Sequence, residues 1–113
     1  MTPENKYGFI SDLNKRRIDN NKFELISPLE YRSKLSIKNI TVPTGFITNF
    51  ASAIVVKFGE RAATLHDYLY SCHKYKRSKC DKIYREALSY DGVGTVKRWA
   101  CYAAVRAFGW MHY

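Results

Sequence analysis

His66, Asp67 and Tyr70 place a base, a carboxylate and a hydroxyl within five consecutive residues, His66-Asp67-Tyr68-Leu69-Tyr70. On a helix Tyr70 stands one turn from His66, while Asp67 projects about 100° around the same axis. Such a set can divide the work of hydrolysis: the imidazole takes a proton from water and the carboxylate binds a metal or a cationic group on the substrate. A further group is needed to hold the imidazole in one tautomer, and Asp81 is the candidate. His66, Tyr70 and Asp81 are therefore the candidate catalytic residues, and Asp67 the candidate ligand of a divalent cation, Ca2+ or another. Taken singly, each has an ordinary structural role as a boundary histidine, a salt-bridging acid, a packed ring or a helix-capping acid. It is their compact spacing, beside the small pair Ala62-Ala63 that lets helices approach closely, that marks a polar site.

The elements that must position these residues follow from periodicity. After Gly59 the apolar residues Ala62, Ala63, Leu69 and Tyr70 fall with His66 and His73 on one broad stripe of a helix that starts near Glu60, where an acid suits the positive end of the dipole. Ser78-Lys79-Cys80-Asp81 has the capping-box pattern and opens a second helix reaching about Ser89. Asp91-Gly92-Val93-Gly94 breaks the chain, and a third helix runs from Thr95, read as its N-cap, to Phe108, with Gly109 at its end. Apolar residues surround nearly all of this third helix, so it is expected to be the one most deeply packed. Where the first helix ends decides what Asp81 meets. Continued through Lys76, it sets Asp81 opposite His73; frayed near Ser71, it brings Asp81 level with His66.

From Lys6 to about Asn49 apolar and polar residues alternate with turn residues between them, the two-residue period of half-buried antiparallel strands. The expected strands are Tyr7 to Ile10, Lys22 to Ile26, Tyr31 to Ile37 and Ile40 to Val42, with Asn20-Asn21 and Ser36 to Asn39 as turns. Val42-Pro43-Thr44-Gly45-Phe46 reads as a strand running into a turn. The predicted fold is α+β: an N-terminal antiparallel sheet over about residues 6–49, packed against a C-terminal three-helix region over about 60–109, in a single domain.

The chain has 113 residues, room for one core, and its 46% apolar content is that of a folded globule. No run nears the roughly eighteen apolar residues of a membrane span, and the N-terminus lacks the order of a signal peptide, so a cytosolic, non-integral protein is expected. Cys72, Cys80 and Cys101 are odd in number without C-x-x-C spacing, which predicts reduced thiols rather than disulfides or a zinc site. A net charge of +9 would attract nucleic acid, anionic lipid or an acidic protein. The basic residues gather in Lys15-Arg16-Arg17 and Lys74-Tyr75-Lys76-Arg77, read first as solvated loops and second as a binding surface. P-loop, dinucleotide, serine-hydrolase and zincin motifs are missing, and a Cys72 thiol–imidazole pair is disfavoured by its helical offset from His66.

Four stretches resemble a phage and prophage family known as domain of unknown function 1353: Val42-Pro43-Thr44-Gly45-Phe46-Ile47-Thr48-Asn49-Phe50-Ala51-Ser52, Ala62 through Tyr70, Cys80 through Leu88, and Ala103 through Gly109. They cover about two thirds of the chain in the family's order. The resemblance implies a bacteriophage source but no settled activity, and it adds Asn49 and Ser52 as site candidates. The family usually has Asp at the place of Asn49 and Pro-Arg where this chain runs Ala53-Ile54-Val55; if that Asp is a ligand or an acid, this member is weakened there. A looser similarity, of the His-Asp-x-x-Tyr helix alone, is to secreted phospholipases of the A2 class. It implies that His66 activates water, Asp67 binds calcium and Asp81 orients His66, although that class's glycine-rich calcium loop and disulfides are not visible here.

Three functions are thus expected in order. The first is a phage protein with a hydrolase-like site, using a divalent cation and acting on a lipid or cell-envelope ester or amide bond. The second is a non-catalytic virion protein of tail or head that contacts other phage virion proteins, in keeping with its small size and tyrosine content. The third is a basic host-factor or nucleic-acid binder, ranked last because the aromatics do not interleave with a basic stripe. Its place would be the host cytoplasm during infection, or the virion.

Overall fold

The computed structural model describes residues 7–19, 22–48, 59–111 and 113. The protein is α+β; among the described residues six short strands precede three helices: β1 (Gly8–Phe9), β2 (Lys15–Asp19), β3 (Lys22–Leu25), β4 (Leu29–Arg32), β5 (Ile40–Val42), β6 (Ile47–Thr48), α1 (Glu60–Cys72), α2 (Arg77–Tyr90) and α3 (Thr95–Phe108). A 3-10 turn, Gly109–Met111, closes the chain. The strands form two antiparallel three-stranded sheets, ordered β1-β4-β5 and β2-β3-β6.

Alternation predicts β3 and β5 but only the end of β4; Leu29 and Tyr31 on β4 and Ile40 and Val42 on β5 are all inside. Two strand expectations need correction. The strand expected over Tyr31 to Ile37 stops at Arg32, where the Ser33 hydroxyl accepts the Leu35 N–H at 2.9 Å and turns the chain; Leu35 and Ile37 lie outside. Lys15-Arg16-Arg17 is no loop but most of β2, an edge strand whose residues are nearly all exposed, so no alternation announces it. Arg16 pairs with Glu24 at 2.7 Å across the ladder. The turn expected at Asn20-Asn21 lies outside the described residues.

The helices form where the 3.6-residue period places them, and α1 and α2 carry most of the helical core: Ala62, Ala63, Leu65 and Leu69 against Ile83, Tyr84, Ala87 and Leu88. Their ends are set differently from the sequence reading. No side chain of its own caps α1; Asp91, thirty residues on, accepts the Ala62 N–H at 2.9 Å and the Arg61 Nε–H at 2.6 Å. The capping box at Ser78 is not made, since α2 begins at Arg77 behind Lys76 and Asp81 turns inward. Gly94, not Thr95, is the N-cap of α3. At the far end of α2, Gly92 takes φ 81° and Val93 N–H returns to the Leu88 carbonyl at 3.0 Å, the glycine-dependent helix stop.

The expectation that α3 is the most deeply packed helix is overturned. Only Cys101 and Val105 are buried along it, whereas α1 buries seven residues and α2 six. α3 seals α2 with one face, and most of its other apolar residues, Val96, Trp99 and Phe108 among them, stay exposed.

Candidate functional site

The end of α1 determines the site. Cys72 is its last helical residue, because His73 adopts the left-handed conformation (φ 54°, ψ 26°) and stops the helix. The linker to α2 is then only residues 73–76, and the antiparallel return brings Asp81 level with His66 rather than His73. The His66 Nε2 and Asp81 Oδ1 atoms are 2.8 Å apart. Of the two geometries left open by the sequence, this is the one that pairs His66 with Asp81.

Asp81 is fully buried and accepts hydrogen bonds from several sides. Its Oδ1 takes Nε2–H of His66 and the Tyr70 hydroxyl; its Oδ2 takes Arg106 Nη1–H at 2.8 Å and lies 3.5 Å from Arg77 Nη1. Arg77 is itself held by the carbonyls of Val105 and Arg106, at 3.0 and 3.3 Å, so α3 is tied to the same carboxylate. Burial alone would push the Asp81 carboxyl up, but the bonds from His66, Tyr70 and Arg106 outweigh it and hold the group below its ordinary value. Asp81 is therefore an anion that can only accept. Burial, reinforced by the bond to Asp81, pushes the Tyr70 hydroxyl well above its ordinary range, so it remains a donor.

An ionised, acceptor-only Asp81 requires the His66 proton on Nε2, and in the neutral ring that leaves the lone pair on Nδ1. Nδ1 makes no hydrogen bond to any side chain among the described residues. The ring is held between two tyrosines, with centroids 4.1 Å from Tyr70 and 4.6 Å from Tyr84, and His66 is 7% exposed. A carboxylate that fixes one imidazole nitrogen and leaves the other to work is the arrangement used for general-base activation of a nucleophile.

Asp67 points away from this pair, toward the sheet, where it accepts the Thr48 hydroxyl of β6. β6 is in turn paired with β3 through Phe23↔Thr48, so the second sheet is anchored on α1 beside the site. No group of three His, Cys, Asp or Glu able to hold a metal occurs among the described residues. The expected ligand, Asp67, is engaged by the Thr48 hydroxyl. Asn49 and Ser52 lie outside the described residues.

Arg77, Arg106 and Tyr84 were not singled out as site residues in the sequence. Arg77 had a signal, since it stands four residues before Asp81 on one helix face. Arg106, twenty-five residues from Asp81, had none: a lone arginine in an apolar helix reads as a solvated charge. The cysteines play no chemical part in this arrangement. Burial and the nearby Asp81 charge push the Cys80 thiol up to about 12, which keeps it protonated, and burial likewise raises Cys101.

The family model described as "Protein of unknown function (DUF1353)" matches residues 23–105, from β3 through most of α3, and so includes His66, Tyr70, Arg77, Asp81 and Tyr84 but stops one residue short of Arg106. The chain belongs to the DUF1353 family. No curated protein and no solved structure matches it. Membership accounts for the resembling stretches from Val42 as far as Val105 without assigning them an activity. No helix among the described residues is long and apolar enough to cross a membrane.

Proposed function

We propose that this DUF1353 protein is a bacteriophage hydrolase acting on an ester or amide bond of a lipid or of the cell envelope. The observation that carries the reading is the Asp81 Oδ1 to His66 Nε2 contact of 2.8 Å on a fully buried carboxylate, which directs Nδ1 to serve as the base. His66 Nδ1 would take a proton from water as its oxygen attacks the carbonyl carbon. The proton then passes to the leaving oxygen or nitrogen as its bond to that carbon breaks, giving an acid and an alcohol or amine. Asp81 holds the ring by its hydrogen bond and Tyr70 packs against it. The similarity of His66-Asp67-x-x-Tyr70 to the helix of phospholipases of the A2 class points the same way for a lipid ester.

Purified protein, supplied with phospholipid micelles or cell-wall fragments, with and without added calcium or magnesium, should release product. His66→Ala should lower that rate by about 10²- to 10⁴-fold while leaving the fold intact by circular dichroism. Equal rates in the variant and the parent would end the proposal.

A second reading has its own observation. His66 is 7% exposed and Asp81 is saturated with donors, which suits a hydrogen-bond network that holds three helices together in a virion protein of tail or head. Mass spectrometry of purified virions distinguishes the two: the chain in stoichiometric amount, without turnover, supports assembly, and its absence opposes it.

A further inference from the structure

α3 and the turn after it leave an unusual amount of apolar surface outside. Val96, Trp99, Phe108, Trp110 and Met111 are 84%, 51%, 63%, 66% and 58% exposed. Val96, Trp99, Ala100, Ala103 and Ala107 recur at helical spacing, and all five are exposed, so the outward face of α3 is an uncharged stripe. From Val96 to Trp110 such a stripe runs about 21 Å at 1.5 Å per residue. Isolated apolar side chains on a surface are ordinary, but a continuous stripe with two indoles is the mark of a binding face.

The charge around the stripe has one sign. No Asp or Glu occurs from Thr95 to Tyr113, while Lys97 and Arg98 do, Arg106 being taken up by Asp81. Exposed Lys82 lies one turn before Arg85 on the neighbouring α2, and the Arg85 guanidinium sits 4.3 Å over the Trp99 ring and 4.4 Å over Tyr102. A guanidinium is thereby held beside a half-exposed indole, pairing a phosphate-binding group with one that prefers the boundary between water and hydrocarbon.

We propose that this face binds an anionic lipid surface, with α3 lying in its plane. Val96, Trp99 and Trp110 would enter the headgroup boundary, and Lys97 with Lys82 and Arg85 of α2 would meet lipid phosphates. A second copy of the chain is the poorer occupant: two chains of +9 repel, and the face carries no acid to receive the partner's cations. The inference rests on the proposed hydrolysis only in naming a lipid surface as the place where substrate is met; binding itself needs no turnover.

The test uses the full 113-residue chain with vesicles of phosphatidylglycerol and phosphatidylcholine, and with phosphatidylcholine alone. Binding, read by co-sedimentation and a blue shift of tryptophan fluorescence, is expected on the anionic vesicles and should weaken as salt rises. The Trp99→Ala/Trp110→Ala pair should weaken it by about tenfold or more, and so should Val96→Glu, at a site too exposed to affect folding. The proposal is overturned by failure to sediment with anionic vesicles, by unchanged binding in both variants, or by a dimer in analytical ultracentrifugation that Val96→Glu dissociates. Sedimentation without hydrolysis supports the surface and removes phospholipid as the substrate of the hydrolase. Hydrolysis of a soluble ester without sedimentation does the reverse.

Discussion

His66 Nε2 and Asp81 Oδ1 meet at 2.8 Å across the contact between α1 and α2, fifteen residues apart in the chain. The same carboxylate binds Arg106 on α3, so one buried anion connects all three helices. A buried charge is costly unless its partners are complete, and removing it strands the groups that were aimed at it.

Asp81→Asn keeps the shape of the side chain but removes the charge that Arg106 and Arg77 face. It should destabilise the fold by about 2–4 kcal/mol in urea denaturation at neutral pH. The pH dependence has a definite sign. Asp81 is held below its ordinary value near 3.8, so the stability it contributes is full above that pH and is lost as pH falls through the lower folded value. Denaturation midpoints measured between about pH 2 and 6 should therefore fall less steeply in Asp81→Asn than in the parent below about pH 4. Parallel curves would show that another carboxylate governs acid unfolding.

A second anion works at the opposite end of α1. Asp91 lies at the stop of α2 yet supplies the acceptor that the first turn of α1 lacks, and it pairs with Arg61 while only 7% of its side chain is exposed. Asp91→Ala should cost about 1–3 kcal/mol, read as a lower thermal midpoint. Asp91→Asn, which still has an oxygen for the Ala62 N–H, should cost less. Equal losses would mean that the Arg61 pair, not the cap, carries the effect.

These two acids mark what the sequence could and could not show. The helices were legible because their apolar residues repeat every 3.6 positions, and β3 and β5 because theirs alternate, whereas the strand expected over Tyr31 to Ile37 lies earlier, at Leu29–Arg32. His66, Tyr70 and Asp81 could be named as a site, but their geometry depended on the stop at His73, a left-handed position where glycine or asparagine would have been the usual signal. β2 was hidden because an exposed edge strand has no buried face to pattern. Asp91 was read as a chain break, which it is, while its capping of α1 depends on a contact across thirty residues. For α3 the composition misled: apolar residues on all sides read as core, yet a helix can also carry them for a partner.

Gly109 permits the close approach of the chain end to the site. A Cβ there would lie 2.5 Å from the Tyr70 hydroxyl and 3.3 Å from Arg77 Nη1, although its φ of −65° suits any residue. Gly109→Ala should thus act through crowding alone, disturbing the Tyr70 bond to Asp81 at a cost of about 1–3 kcal/mol. In a Tyr70→Phe background the obstructing oxygen is gone, so the same substitution should cost clearly less. Additive effects in this double-mutant cycle would place the strain elsewhere.

Tyr70 and Tyr84 both lie against the His66 ring, yet they differ in how their hydroxyls end. Tyr70 donates to Asp81, whereas the Tyr84 hydroxyl is sealed without a well-formed partner among the described residues, the Cys101 thiol beside it being a poor acceptor. Truncation to Phe keeps either ring against the imidazole and so isolates the oxygens. Tyr70→Phe removes a bond to an ion and should lose about 1–3 kcal/mol. Tyr84→Phe removes a hydroxyl that burial only penalises, and should be neutral or stabilising by up to about 1 kcal/mol. Thermal and urea unfolding of the two variants side by side would measure the contrast. Equal losses would mean that Tyr84 has a polar partner after all, and that the ring clamp on His66 is held by two hydroxyls rather than one.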